Sequence, residues 1–373
     1  MQKYFIIAGE LSGDLHGGHL MKEMLALNPN ICFEGIGGPL MQKQGLSSLV
    51  SLDKMAVMGF FEVLKKYSFF KSLQNSLLKK IESSNAKNII LIDYPGFNLR
   101  LAKKIKMRFP KTSVYYYISP QIWAWKENRI NIVKKYIDKM IVLFDFEKKW
   151  YDERGVKTTL VGHPFLDYYK STALKSEARK SLGLNKNKKY LTLFPGSREQ
   201  EIKNHLPIML QALKNNFFKD FEVLIGQAKG LNNNIVDLYD LGQTKVVSDA
   251  PEHALAAADF AWVGSGTSSL ESVMFNTPFI LVYKTSPLSW FLMKKYVKVK
   301  YAGMPNIIIN QPLVPELLQE SFSCKNLILE TKTLLNSQKN MSRLLQGYDI
   351  IRKKLGATGA SKRAAQCILN VEN

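Results

Sequence analysis

Cysteine is scarce in this chain. Cys32, Cys324 and Cys367 lie far apart, without CxxC or Cys/His ligand spacing. Neither a disulfide framework nor a structural zinc site is suggested, and a reducing compartment is the default. Long apolar runs are also missing. Met1-Gln2-Lys3 leads directly into Tyr4-Phe5-Ile6-Ile7-Ala8, which stops at Gly9-Glu10. That run is far too short for a membrane span and lacks the layout of a secretory signal, so a cytoplasmic protein is expected. There is no Walker GK[ST] sequence and no GxGxxG fingerprint with an acidic ribose partner. These absences remove P-loop enzymes and the common dinucleotide enzymes from the first choices. No repeat or low-complexity tract appears.

Negative charge is in short supply. Against 52 Lys and Arg stand 31 Asp and Glu, a net charge of +21. The excess is even, with 26 basic against 15 acidic residues in 1–172 and 26 against 16 in the remainder. There is thus no basic tail and no concentrated stripe of the kind a nucleic-acid-binding protein presents. An anionic membrane surface or an anionic substrate remains to explain the charge, beside the plain alternative of a lysine-rich solvated surface. The 373 residues are too many for one ordinary core and point to two domains.

Short apolar runs alternate with longer periodic segments, the signature of βαβ units and parallel sheets. The first half offers strands at 4–8, 32–36, 88–92, 113–118, 139–143 and 158–161, and the second at 190–194, 222–225, 245–247, 260–263 and 279–282. A polar, lysine-rich stretch from Tyr168 to Lys189 reads as a linker with a short helix. Two doubly wound α/β domains follow, divided as 1–170 and 171–343, with a C-terminal helical segment in 344–373. That segment crosses back to the first domain or exchanges between subunits of a homodimer.

Ligands of open parallel sheets sit beyond the carboxyl ends of the strands, so the loops there carry the information. After the first strand, Gly9-Glu10-Leu11-Ser12-Gly13-Asp14-Leu15-His16-Gly17-Gly18 reads as a glycine-rich turn that lets a ligand approach a helix N-terminus. A plain β–α turn is the other reading. After the third, Ile92-Asp93-Tyr94-Pro95-Gly96-Phe97-Asn98 puts a carboxylate at a strand end; with Asn98 as N-cap, Asp93 is left to act as a base. Trp123 and Trp125 suit a cleft wall or a core, and Gly162-His163-Pro164 suits a hinge or a cleft floor.

The strongest local signal is Pro195-Gly196-Ser197-Arg198, followed by Glu199 and Glu201 opening a helix. Backbone N–H groups at a helix start, a Gly-Ser turn and an arginine fork make an anion site suited to a diphosphate. Gly264-Ser265-Gly266-Thr267 repeats the device, and Glu271, one turn into the next helix, is placed to accept ribose hydroxyls or to complement the helix dipole. Two segments combine apolar and basic residues. Val57, Met58, Phe60, Phe61 and Leu64 lie beside Lys65 and Lys66; Trp290 and Phe291 lie beside Lys294, Lys295, Lys298 and Lys300. That composition fits a membrane interface, and it also fits buried helices flanked by lysine.

These motifs, in this order, resemble the lipid-A-disaccharide synthase family, glycosyltransferases of the GT-B type with two Rossmann-like domains facing across a cleft. The resemblance is carried by Ala8-Gly9-Glu10…Ser12-Gly13-Asp14, Gly37-Gly38-Pro39, Ala56-Val57-Met58-Gly59, Ile92-Asp93…Pro95…Phe97-Asn98 and Trp123-Ala124-Trp125. It continues through Phe146-Glu147, Gly162-His163-Pro164, Pro195-Gly196-Ser197-Arg198, Gly266-Thr267…Leu270-Glu271 and Pro305-Asn306. It implies a peripheral enzyme of the inner membrane's cytoplasmic face that joins UDP-2,3-diacylglucosamine to 2,3-diacylglucosamine 1-phosphate. The products are UDP and a β-1,6-linked disaccharide.

By the resemblance Asp93 is the general base and Arg198 the diphosphate ligand, with Asn306 important to the cleft. His16 is the rival base. Ser12, Gly13 and Asp14 are expected at the donor sugar or diphosphate. Gly196, Ser197, Ser265, Gly266, Thr267 and Glu271 are expected around UDP. Inversion without a metal or other cofactor is expected, since no DxD-type pair stands at a strand end. One departure is Gly96, where the family commonly carries a second Asp; a mechanism that needs two acids there is in doubt. A UDP-N-acetylglucosamine 2-epimerase, or another GT-B enzyme with a soluble substrate, is the alternative.

Overall fold

A computed structural model describes residues 2–55, 67–169, 174–228, 236, 238–242 and 244–371. They form two compact α/β units, one of Met1–Asp167 with Leu355–Asn373, the other of Tyr168–Lys354. Val57, Met58, Phe60, Phe61 and Leu64 lie outside the described residues.

In the first unit the strands are β1 (Gln2–Ala8), β2 (Ile31–Ile36), β3 (Leu46–Ser48), β4 (Asn88–Ile92), β5 (Ser113–Tyr117), β6 (Lys139–Val142) and β7 (Thr158–Leu160). All pair in parallel, in the order β3-β2-β1-β4-β5-β6-β7. Continuous apolar runs such as Ile89-Ile90-Leu91-Ile92 are what a sheet covered on both faces requires, and all four are fully buried. The order reverses between β1 and β4, where Ala8 pairs with Ile92.

The second unit repeats the plan with β8 (Lys189–Phe194), β9 (Phe221–Gly226), β10 (Lys245–Val247), β11 (Phe260–Gly264), β12 (Phe279–Tyr283) and β13 (Glu316–Leu318). Its order is β10-β9-β8-β11-β12-β13, with the reversal between β8 and β11, where Phe194 pairs with Val263. Trp262 fills its core and donates its indole N–H to the Thr331 hydroxyl at 3.0 Å.

The structure corrects several expectations. The glycine-rich stretch after β1 is mostly helix, Leu11–Leu27. Its glycines serve packing: a Cβ on Gly17 would stand 2.6 Å from the Met41 sulfur. Asn98 does not cap the next helix. That helix, Pro95–Arg108, starts after Tyr94, and Asn98 sits one turn inside. The C-terminal segment is two helices, Gln338–Lys354 and Ala360–Leu369, because Gly356 (φ +97°) and Gly359 (φ +88°) take left-handed conformations that end one and start the other. Only the second belongs to the first unit, where it packs on the helix Leu11–Leu27. Short β3 and β13 escape sequence reading; Leu46-Ser47-Ser48 offers one apolar residue to a periodicity argument.

Candidate active site

In open parallel sheets the point of strand reversal leaves a crevice beyond the carboxyl ends. The first unit puts Asp93 there, directly after β4 and beside the end of β1. Asp93 (φ +42°) and Tyr94 (φ +49°) are both left-handed, a strained pairing for residues with a Cβ. The surroundings hold it in place. The Asp93 carbonyl accepts the Tyr116 hydroxyl at 2.6 Å and the Asn98 amide at 2.8 Å. Its N–H donates to the Tyr117 carbonyl at 3.1 Å. The Tyr94 hydroxyl donates to the Met55 carbonyl at 2.8 Å, and its ring lies against Gly9, where a Cβ would come within 2.3 Å. Burial, aided by the charge of Glu10, pushes the Asp93 carboxyl up to about 7. A carboxyl near 7 is suited to taking a proton at neutral pH.

The other residues singled out in this unit have different surroundings. Asp14 is 2% exposed, and its carboxylate accepts the backbone N–H groups of Gly38 (2.8 Å), Leu40 (3.1 Å) and Met41 (3.0 Å). Those bonds cap the helix Pro39–Lys43 and fix the Asp14 side chain beside the first turn of the helix Leu11–Leu27. Gly13 is buried, and a Cβ on it would stand 3.1 Å from that of Ala8, while Ser12 is half-buried in the first turn. His16 is buried, stacked on Phe165 and edge-on to His163. Burial pushes its imidazole down to about 3 and holds it neutral. Trp123 is buried and donates to Glu147, which also accepts from Ser119 and from the N–H groups of Leu143 and Phe144. Trp125 is 38% exposed, with the Lys126 ammonium 4.3 Å from its ring.

In the second unit the two glycine-serine loops leave neighbouring strands at the reversal point, β8 and β11. They touch: a Cβ on Gly264 would stand 3.1 Å from the Pro195 carbonyl oxygen. The helix Glu199–Leu213 begins at Arg198, whose guanidinium lies 3.6 Å from Glu201. Ser197 N–H donates to Glu201 at 3.0 Å. Gly266 and Thr267 are exposed, and the Ser265 hydroxyl donates to the Ala302 carbonyl at 3.2 Å. Glu271 accepts the Tyr169 hydroxyl at 3.0 Å; burial pushes its carboxyl up to about 7, the Tyr169 bond opposing and Glu252 adding to the rise.

Sequence reading missed His205, which is fully buried behind the first loop. Its Nε2 accepts the Lys284 N–H at 2.8 Å, so Nδ1–H donates to the Pro195 carbonyl and ties that loop to the end of β12. A lone His inside an amphipathic helix gives no signal of such a bridge. Asn306 is 1% exposed and its amide is saturated. It donates to Val314 O and Glu316 at 2.8 Å and accepts Leu313 and Val314 N–H at 2.9 Å. It braces the helix Met304–Ile309 against β13. A cavity of about 490 Å³ lies beside it, lined by Tyr301, Glu316, Glu330 and Arg343, away from both anion loops.

Two parallel sheets of this order, each with its candidate groups at the reversal point, make up the GT-B architecture. The same fold occurs in the UDP-GlcNAc 2-epimerase of Neisseria meningitidis bound to UDP-GlcNAc, with TM-score 0.65, 12% identity and 99% of each chain covered. It occurs also in the calicheamicin glycosyltransferase CalG4, with TM-score 0.60, 12% identity and 100% of this chain and 99% of that one. At such identity the likeness is one of fold. The profile of lipid-A-disaccharide synthetase matches residues 4–370, and the chain belongs to that family. It is 35% identical to the lipid-A-disaccharide synthase of Coxiella burnetii (strain CbuG_Q212) over 368 residues, 98% of this chain and 97% of the relative. With that of Geobacter sulfurreducens it shares 34% over 374 residues, 99% and 97% of the two chains. It is a hexosyltransferase of lipid A disaccharide synthesis.

Proposed function

We propose that the enzyme moves the diacylglucosaminyl group of UDP-2,3-diacylglucosamine to the 6-hydroxyl of 2,3-diacylglucosamine 1-phosphate. The C1–O bond to UDP breaks as the new C1–O6 bond forms from the opposite face, giving the β-1,6 linkage with inversion. Asp93 takes the hydroxyl proton. UDP leaves with its diphosphate on the Gly196–Arg198 loop and its ribose on Glu271, and Arg198 with the helix N–H groups stabilises the developing charge. The carrying observation is the meeting of two Gly-Ser loops at one strand reversal, with the carboxyl of Glu271 one turn beyond. Arg198 supplies positive charge to the leaving group, so turnover is expected to survive chelators.

The lipid substrates give the apolar-basic surface a purpose. No helix among the described residues is long and apolar enough to cross a membrane. In the helix Pro287–Tyr296, however, Leu288 is 61% and Phe291 67% exposed, and Lys294 and Lys295 close its last turn. Apolar side chains set among amines suit an anionic bilayer surface, here the cytoplasmic face of the inner membrane. The decisive assay supplies both lipid substrates and looks by mass spectrometry for UDP and the disaccharide, with and without EDTA. Turnover of plain UDP-N-acetylglucosamine without a lipid acceptor would instead support an epimerase. Co-sedimentation with anionic vesicles, lost in Phe291→Ser or at high salt, tests the surface.

A further inference from the structure

Glu201 occupies a peculiar place in the anion loop. In a capping box a Glu at the third helical position reaches back to the N–H of the cap residue. Here it reaches one residue further, to Ser197 N–H at 3.0 Å. Gly196 makes room for it: at φ +139° and without a side chain, it lets the carboxylate lie where its Cβ would be, 2.4 Å from Glu201 Oε2. The other carboxylate oxygen stands 3.6 Å from one nitrogen of Arg198. A strong charge-assisted bond is nearer about 2.8 Å, so this is a loose clasp. Burial is lopsided, with the Glu201 side chain 13% exposed and that of Arg198 44%. The anion is fixed inside the turn, and the cation is reachable from outside.

We infer that Glu201 is a positioning residue that competes with the donor's diphosphate for Arg198 and the Ser197 N–H, and so sets how tightly UDP is held. The inference rests on the donor site proposed above. A phosphate oxygen needs the same two donors that the carboxylate engages. When the diphosphate arrives, the guanidinium turns from a fixed carboxylate to a mobile one-for-one replacement. When UDP departs, the carboxylate takes the guanidinium back, which favours release. Full retention of both donors by phosphate would bind product more tightly and slow turnover.

Glu201→Gln separates charge from shape. Glutamine keeps an acceptor for Ser197 N–H and serves the capping position equally well, so the fold is retained; the melting temperature verifies that. A partly exposed ion pair is weak, so loss of its competition should tighten UDP binding by about two- to fivefold at low salt. The gain shrinks as salt screens the pair. Donor KM falls in parallel, and kcat falls if product release limits turnover. In an Arg198→Ala background the same substitution leaves UDP affinity unchanged. Titration calorimetry with UDP reads all four proteins. Unchanged or weaker binding by Glu201→Gln, or an equal gain without Arg198, overturns the inference while leaving the donor site standing. Failure of the unsubstituted protein to bind UDP overturns the donor site and this inference with it.

Discussion

If Asp93 takes the acceptor's proton, the transfer rate must follow the ionisation of its carboxyl. Burial first, and Glu10 second, lift that carboxyl from 3.8 to about 7. Below about pH 7 the base form then falls tenfold per unit, and kcat/KM falls with it; above about pH 8 the rate is level. The folded protein thus disfavours the carboxylate form. Its sign for stability is fixed. A carboxyl whose folded pKa is raised binds more protons folded than unfolded, so stability drops as pH climbs from about 4 to about 7 and is then constant. Asp93→Asn should therefore lose about 10²- to 10⁴-fold in turnover and yet melt higher, with a larger gain near pH 8 than near pH 5. In Glu10→Gln the rate midpoint should move toward acid by less than half of the lift, since burial is the larger cause. UDP release measured across pH, with melting curves at both ends, decides it. A rate that is flat between about pH 6 and pH 8, or an Asn variant no more stable in base than in acid, would refute the reasoning.

The uridine side of the site predicts that Glu271→Gln raises donor KM about tenfold with little change in kcat, and that Tyr169→Phe, which removes the 3.0 Å bond orienting that carboxylate, gives a smaller rise of the same kind. Gly9→Ala drives a methyl into the Tyr94 ring, which its bond to Met55 holds in place, so kcat should fall at least about tenfold with UDP affinity unchanged. His16 and His163 are buried neutral with lowered pKa, so each stays unprotonated where the unfolded chain would gain a proton. Stability should fall by about 1.4 kcal/mol per pH unit per histidine below about pH 6.5, and denaturant titrations in His16→Gln should show about half that slope from this pair.

Much of the architecture was legible because parallel sheets are built from runs that are apolar throughout. Most of the strands announce themselves in that way, whereas Leu46–Ser48 and Glu316–Leu318 are held mainly by their neighbours' ladders. The anion loop was legible for a local reason, since turn, arginine and helix start are consecutive in the chain. What escaped was non-local. Nothing near Asp14 in sequence reveals that its carboxylate caps a helix starting at Pro39, and nothing near Asn306 shows its four bonds to residues 313–316. Polar residues in a glycine-rich stretch look like ligand contacts until their partners are known. Asp93 differs because a strand end at a reversal point, a left-handed backbone and a raised pKa all bear on one group.

The first unit is assembled from two stretches separated in the chain by the whole of the second, and Asp167 fastens the later stretch by accepting the N–H groups of Gly359 and Ser361. The second unit, Tyr168–Lys354, is an uninterrupted stretch. On the ribosome the order of completion is therefore inverted. The half synthesised first waits longest for its last helix, while the half made in the middle already has every residue it needs. A truncation that removes the final turns would injure the earliest part of the protein, the part that carries Asp93, and spare the nucleotide-side loops.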